Sequence, residues 1–139
     1  MTVIATRAET FGQVFKDEYE PSSGFTREVV TVNIADGATL AQGTVLAKVT
    51  ATGKYLVQDA SLDSGAGLEA AGVLIGTDES TPGAVCAAGV DTKVLMMARG
   101  PVKVAKTKLV MGAGTTTDAE KLAVYEALAA KNIVTVDIL

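Results

Sequence analysis

Cys86 is the single cysteine of the chain and its most nucleophilic side chain. A thiol becomes a useful nucleophile when a neighbouring base or cation draws off its proton. The chain contains no histidine, so the usual base near neutral pH and the commonest metal ligand are both missing. Cys86 also lies in the apolar run Ala84-Val85-Cys86-Ala87-Ala88, which predicts a small buried hydrophobe rather than a reactive group. A lone cysteine cannot form an intrachain disulfide.

Three glycine motifs suggest phosphate chemistry, and each lacks its context. Gly65-Ala66-Gly67-Leu68-Glu69-Ala70 has letters of a dinucleotide fingerprint. That chemistry needs a strand before and a helix after, so that pyrophosphate meets helix amides. Here a polar loop precedes the glycines and a strand is expected to follow. Gly112-Ala113-Gly114 precedes an expected helix, but Asp118 and Glu120 occupy its positive end and repel an anion. Thr52-Gly53-Lys54 ends like a phosphate loop, yet Lys48 stands where the first glycine belongs.

The carboxylates form no evident reactive set. Asp59 and Asp63 share a loop but lack the oxygen-rich spacing and closing glutamate of a calcium loop. Glu28 and Asp36 carry nothing that predicts proximity. Met96-Met97 on a strand places one side chain on each face, which reads as core plus a packed surface or subunit contact. No enzymatic activity, cofactor or metal is expected.

Composition narrows the partners. Lys and Arg number 12 against 16 Asp and Glu, for a net charge of −4. A phosphate-backbone binder gains affinity from basic residues that displace counterions, so no direct nucleic-acid contact is expected. No apolar run is long enough to span a bilayer. The stretch Met1 to Glu9 lacks the charged and apolar regions of a secretory signal. Synthesis and residence in a cytosol-like compartment are expected until a partner is met.

These side chains must be positioned by a chain of 139 residues, 48% hydrophobic, rich in aliphatics and poor in aromatics. That suits one compact domain. Residues 1–25 differ from the rest. They hold Phe11, Phe15, Tyr19 and Phe25, the acids Asp17, Glu18 and Glu20, and a turn-like Pro21-Ser22-Ser23-Gly24. The segment shows no firm period, and it reads as an arm outside the core, flexible until bound. From Thr26 to Leu139 a β-rich core follows. Val30, Val32 and Ile34 share one face of a first strand, and short strands are expected over 44–49, 54–57, 70–76, 92–98, 102–106 and 133–138. Loops separate them at 59–67 and 78–83. One helix is well signalled, because Thr117-Asp118-Ala119-Glu120 matches a capping box. Leu122, Tyr125, Leu128 and Ala129 recur after it at helical spacing, and the helix should end near Lys131-Asn132. The fold class is mainly β, or α+β, without a βαβ repeat.

The most distinctive stretch runs from Asp36-Gly37-Ala38-Thr39-Leu40-Ala41-Gln42-Gly43 through Thr44-Val45-Leu46-Ala47-Lys48-Val49-Thr50, then Thr52-Gly53-Lys54-Tyr55. Physically it is a turn, a buried leucine, a second turn, a strand and a tight reversal. It resembles the core motif of the phage lambda-type head decoration proteins. Ala71 to Ile75, Val94 to Ala98, Gly100-Pro101-Val102 and the closing helix and strand follow in the order of that family. The resemblance implies a capsid-stabilising virion protein that binds the outside of an expanded phage head as a homotrimer. It also implies an N-terminal arm that pairs with the major capsid protein. On that reading Phe11, Val14, Phe15, Tyr19 and Phe25 are candidate capsid contacts, and removing Thr2 to Gly24 should leave the fold intact. Linked weak contacts from a trimer would raise avidity by roughly 10²–10⁴.

Two other functions fit parts of the chain. The spacing Gly37, Leu40, Gly43, Leu46 is also similar to the hairpin of biotinyl or lipoyl carrier domains. Carriers present a lysine on a tight turn with particular flanks, which Lys93, Lys103, Lys106 and Lys108 lack. An enzyme working with carboxylates alone would need a converging acid pair, and the sequence identifies none. The blandest reading is an oligomeric β domain.

Overall fold

A computed structural model describes residues 14–19, 24–78 and 80–137 of the chain. Its strands are β1 (Phe15–Glu18), β2 (Arg27–Val32), β3 (Ala38–Leu40), β4 (Val45–Lys48), β5 (Tyr55–Val57) and β6 (Ala70–Asp78). They continue as β7 (Thr81–Pro82), β8 (Ala84–Cys86), β9 (Thr92–Met97), β10 (Val102–Ala105) and β11 (Ile133–Val136). A 3-10 turn covers Lys106–Lys108, and the helix α1 spans Asp118–Ala129. The domain is mainly β.

The central six-stranded sheet has the order β4-β5-β2-β9-β6-β7, and β4 also pairs with β6. That extra pairing closes β4, β5, β2, β9 and β6 into a small barrel and removes their open edges. β2 and β9 form the longest ladder, antiparallel from Arg27–Met97 to Val32–Thr92. β7 folds back on β6 where the sequence suggested only a loop. Gly76 permits this, because a Cβ there would strike the Thr81 carbonyl.

Period-two alternation along the wall strands feeds two separate cores. Val30, Val32, Leu46, Leu74, Val94 and Met96 form one, within the barrel. Val45, Val73, Ile75 and Met97 point the other way, into a second. Neighbouring residues such as Met96 and Met97 are therefore both fully buried, in different cores. The sequence reading of one methionine in the core and one at a packed surface or subunit contact is corrected: both lie in cores, because the strand has no exposed face at that point. Cys86 is buried in the barrel core with Leu40 and Ala84, which come from the two-stranded ribbon of β3 and β8.

A three-stranded sheet, order β1-β10-β11, and α1 cover the second core. β10 and β11 run parallel, Val102 opposite Ile133 and Ala105 opposite Val136. A parallel pair needs a crossover, and α1 supplies it. Among the described residues this is the single strand-helix-strand unit. Gly100 allows the close approach beside it, since a Cβ there would meet the Asn132 carbonyl.

α1 begins as expected. The Thr117 hydroxyl accepts from Glu120 N–H at 3.2 Å, and the Glu120 carboxylate accepts from Thr117 N–H at 3.0 Å. The buried stripe differs from the expected one. Val124 and Leu128 are buried, while Leu122 is exposed and Ala129 lies at the surface. Val124 and Leu128 are one turn apart and meet the second core, whereas Leu122 stands about 200° around the helix from Val124.

The start of the chain also differs from its sequence reading. β1 pairs antiparallel with β10, Phe15 opposite Val104 and Glu18 opposite Val102. Val14 and Phe15 are 0% and 3% exposed and belong to the second core. Residues 14–18 are therefore built into the domain rather than standing outside it. Burial of an aromatic ring and a valine outweighs the ordering of a short strand.

Candidate functional site

Tyr19 follows β1 directly and Phe25 precedes β2. Both rings are exposed, at 49% and 54%. Their centroids lie 6.4 Å apart at an interplanar angle of 85°, an edge-to-face pair. The Arg99 guanidinium sits 5.6 Å from the Phe25 ring centroid. The same guanidinium donates to the Phe25 carbonyl at 2.5 Å and to Glu28 at 2.7 Å. Two exposed aromatics are thus held in fixed positions, which lowers the entropy that a partner must remove on binding.

A buried ion pair underlies this platform. Arg27 Nε donates to one Glu18 oxygen at 2.8 Å, and its terminal nitrogen donates to the other at 2.7 Å. The Thr26 hydroxyl donates to Glu18 at 2.5 Å. Burial works to raise the Glu18 pKa. The Arg27 and Thr26 hydrogen bonds and the Arg27 charge outweigh it and hold the carboxyl below its ordinary value. Tyr19 N–H donates to the Pro101 carbonyl at 3.0 Å, which fixes the strand end.

A cleft lies on each side of the aromatic pair. One, of about 590 Å³, is lined by Tyr19, Pro101, Val102, Lys103 and Val134 among others. The other, of about 650 Å³, is lined by Phe25, Glu28, Tyr55, Met96 and Arg99 among others. Burial and the Glu28 charge push the Tyr55 phenol up, so it stays protonated across the neutral range. Both clefts are open and mixed in polarity.

Of the candidate contacts read from sequence, Tyr19 and Phe25 come together on this surface. Val14 and Phe15 are occupied in the core, and Phe11 lies outside the described residues. Glu18, Arg27 and Arg99 escaped sequence reasoning, because nothing local links an acid before the Pro21 turn to a base after it. The acidic cluster there was the only signal.

Three further carboxylates, Asp59, Asp78 and Glu69, tie turns. Asp59 accepts from the Ser61 hydroxyl and Ser61 N–H, and also from Gly114 N–H, and these bonds hold it below its ordinary pKa against slight desolvation. Asp78 binds Ser80 and Thr81, and Glu69 binds Ser64 and Gly65, in the same manner. The glycines at 65–67 thus form a turn that leads into β6. Among the described residues no three metal-ligating side chains gather. Lys93 and Lys103 lie within strands, and Lys106 and Lys108 lie in the 3-10 turn, so none is displayed on a hairpin as a carrier lysine must be.

A family model for bacteriophage lambda head decoration protein D matches residues 5–133. The chain belongs to that family. No curated relative matches it. Lambda-type head decoration proteins are structural components of the virion. The chain accordingly decorates a phage capsid, at the head surface, and the exposed aromatic platform is its candidate contact with that shell.

Proposed function

We propose that this head decoration protein binds the outside of the expanded capsid as trimers and stabilises the shell against the pressure of packaged DNA. Its partner on the shell is the major capsid protein, and the host cytoplasm is where it is made. Contact is made by Tyr19 and Phe25 together with the segment that precedes Val14, Phe11 included. The observation that carries this assignment is the pair of exposed, immobilised rings between two clefts, placed beside the strand through which that segment enters the domain. Aromatic anchors of this kind dominate interface energies. The net charge of −4 suits an outer position away from DNA.

Co-sedimentation with expanded and unexpanded shells tests the reading. The unmodified chain should pellet with expanded shells only. Tyr19→Ala with Phe25→Ala should weaken that binding by about tenfold or more, since one hot-spot residue carries on the order of 2 kcal/mol. Heads that carry the protein should retain DNA to a higher temperature than bare heads. Equal retention by both would remove the stabilising role.

A further inference from the structure

The barrel has an open mouth at the end where β4 and β9 finish and β2, β5 and β6 begin. The cleft of about 650 Å³ beside Phe25 is this mouth, because residues near those ends of all five strands line it. Met96 belongs both to its wall and to the barrel core. Side chains alternate along a strand, so Glu28 lies on the face of β2 that carries Val30 and Val32. Lys48 lies likewise on the face of β4 that carries Leu46. Lys48 stands opposite Tyr55 in the β4–β5 ladder, and Tyr55 packs on the same core. The inward row of the barrel thus changes from apolar to ionisable at the mouth.

Three cations, Lys48, Arg99 and Lys131, and two carboxylates, Glu28 and Glu69, line the mouth. Both carboxylates already have donors. Glu28 accepts from the Arg99 guanidinium at 2.7 Å. Glu69 accepts from the Ser64 hydroxyl and from Gly65 N–H. Arg99 is likewise engaged, by Glu28 and the Phe25 carbonyl. Lys48 and Lys131 differ: neither side chain meets an acceptor among the described residues. The Tyr55 hydroxyl, which stays protonated across the neutral range, also lacks an acceptor among them.

We propose that the mouth receives an acidic segment of the major capsid protein beside Phe25, with carboxylates reaching Lys48, Lys131 and the Tyr55 hydroxyl. This rests on the shell contact named above and gives that contact a chemical preference. Three donors without internal acceptors match a group that only accepts, which an ionised carboxylate is. A basic segment would find only engaged carboxylates and would have to displace Arg99 from Glu28. An apolar segment would strip water from the lysine heads and leave them unpaired. The net charge of −4 disfavours an acidic partner over the domain as a whole. The cationic mouth therefore decides where on the domain such a segment docks, as charge complementarity fixes register at interfaces. Binding sites recur in the mouths of β-barrels.

Shell co-sedimentation with charge variants of the full chain tests the assignment. Lys48→Glu with Lys131→Glu should weaken binding to expanded shells by about tenfold or more, with an unchanged circular dichroism spectrum. Lys48→Arg with Lys131→Arg should bind as the unmodified chain does. Lys93→Glu with Lys121→Glu makes the same charge change outside the mouth, and it should leave binding within about twofold. Raising the salt from about 0.01 M to about 0.15 M should weaken the unmodified chain more than the Lys48→Glu, Lys131→Glu chain. Equal losses in the two glutamate pairs, or no loss in the Lys48 and Lys131 pair, would overturn the assignment. A loss accompanied by a lower mass in light scattering would place the acidic segment on a second copy and overturn it too. A poly-glutamate peptide reads the mouth without shells. It should shift the NMR amide signals of Lys48, Tyr55 and Lys131, and poly-lysine should not. Shells that bind despite Lys48→Glu with Lys131→Glu, but not Tyr19→Ala with Phe25→Ala, sink only the acidic segment. A chain that takes poly-glutamate at the mouth and never binds shells sinks only the shell contact.

Discussion

Glu18 and Arg27 make a two-point ion pair, with contacts of 2.7 and 2.8 Å and a Glu18 side chain only 3% exposed. The pair ties the end of β1 to the start of β2, and so holds Tyr19 and Phe25 in register between them. Packing, charge and the candidate contact surface converge at this point.

Glu18→Ala should destabilise the fold by about 2–3 kcal/mol, because it removes a two-point, mostly buried ion pair and its hydrogen bonds. Urea unfolding at neutral pH measures this. The same carboxyl sets an acid limit. Its folded pKa is depressed, so its contribution is present above the ordinary value of 4.5 and fades as pH falls below it towards the folded value. The Glu18→Gln chain should lose less stability than the unmodified chain over that interval. Parallel acid profiles of the two chains would show that other carboxylates set the limit.

Removal of residues 2–13 should leave the unfolding midpoint nearly unchanged and weaken shell binding. Extending the deletion through Glu18 removes Val14, Phe15 and the β1 ladder, and it should lower stability by at least about 3 kcal/mol. Thermal unfolding of both truncations compares the two directly. Residues from Val14 to Glu18 belong to the domain, so the sequence-based boundary after Phe25 does not hold for them.

Met96→Ala and Met97→Ala should each cost about 2–4 kcal/mol, since both side chains are fully buried. They are chain neighbours that serve different cores. A surface role for either would show as a loss under about 0.5 kcal/mol.

Thr115→Val should cost about 1–3 kcal/mol. The Thr115 hydroxyl donates to Gln58 Oε1 at 2.9 Å and accepts from Ala60 N–H at 2.9 Å, within a buried site. Valine keeps the shape and leaves both groups unpaired. Thr117→Ala, at the exposed helix cap, should cost nearer 1 kcal/mol. Denaturant midpoints of the two variants rank them.

Most local elements were legible in the sequence. Alternation marked β2 and β10, and the Thr117–Glu120 spacing marked the helix start, because these signals depend on residues a few positions apart. The Gly37 to Tyr55 stretch carried the family likeness for the same reason. The apolar setting of Cys86 and the absence of histidine argued against catalysis from residue chemistry alone. The Tyr19 and Phe25 rings stood out as aromatics in a polar segment, although their partner Arg99 did not.

What the tertiary structure decided is which neighbours those elements share. β4, β6 and β9 read as apolar runs, yet only closure through the β4–β6 pairing makes both of their faces interior. Val14 and Phe15 look like arm residues until β10 offers a ladder for β1 and the second core offers a cavity. Leu122 fits the helical period as well as Val124 does, but the side on which β6 and β11 lie selects Val124. Glu18 finds Arg27 across a turn that no local rule pairs. Hydrophobic period and capping act over a few residues and are written in the chain. Burial is a property of surfaces brought together from distant parts of it, and only the folded arrangement determines which apolar residues are covered and which remain for a partner.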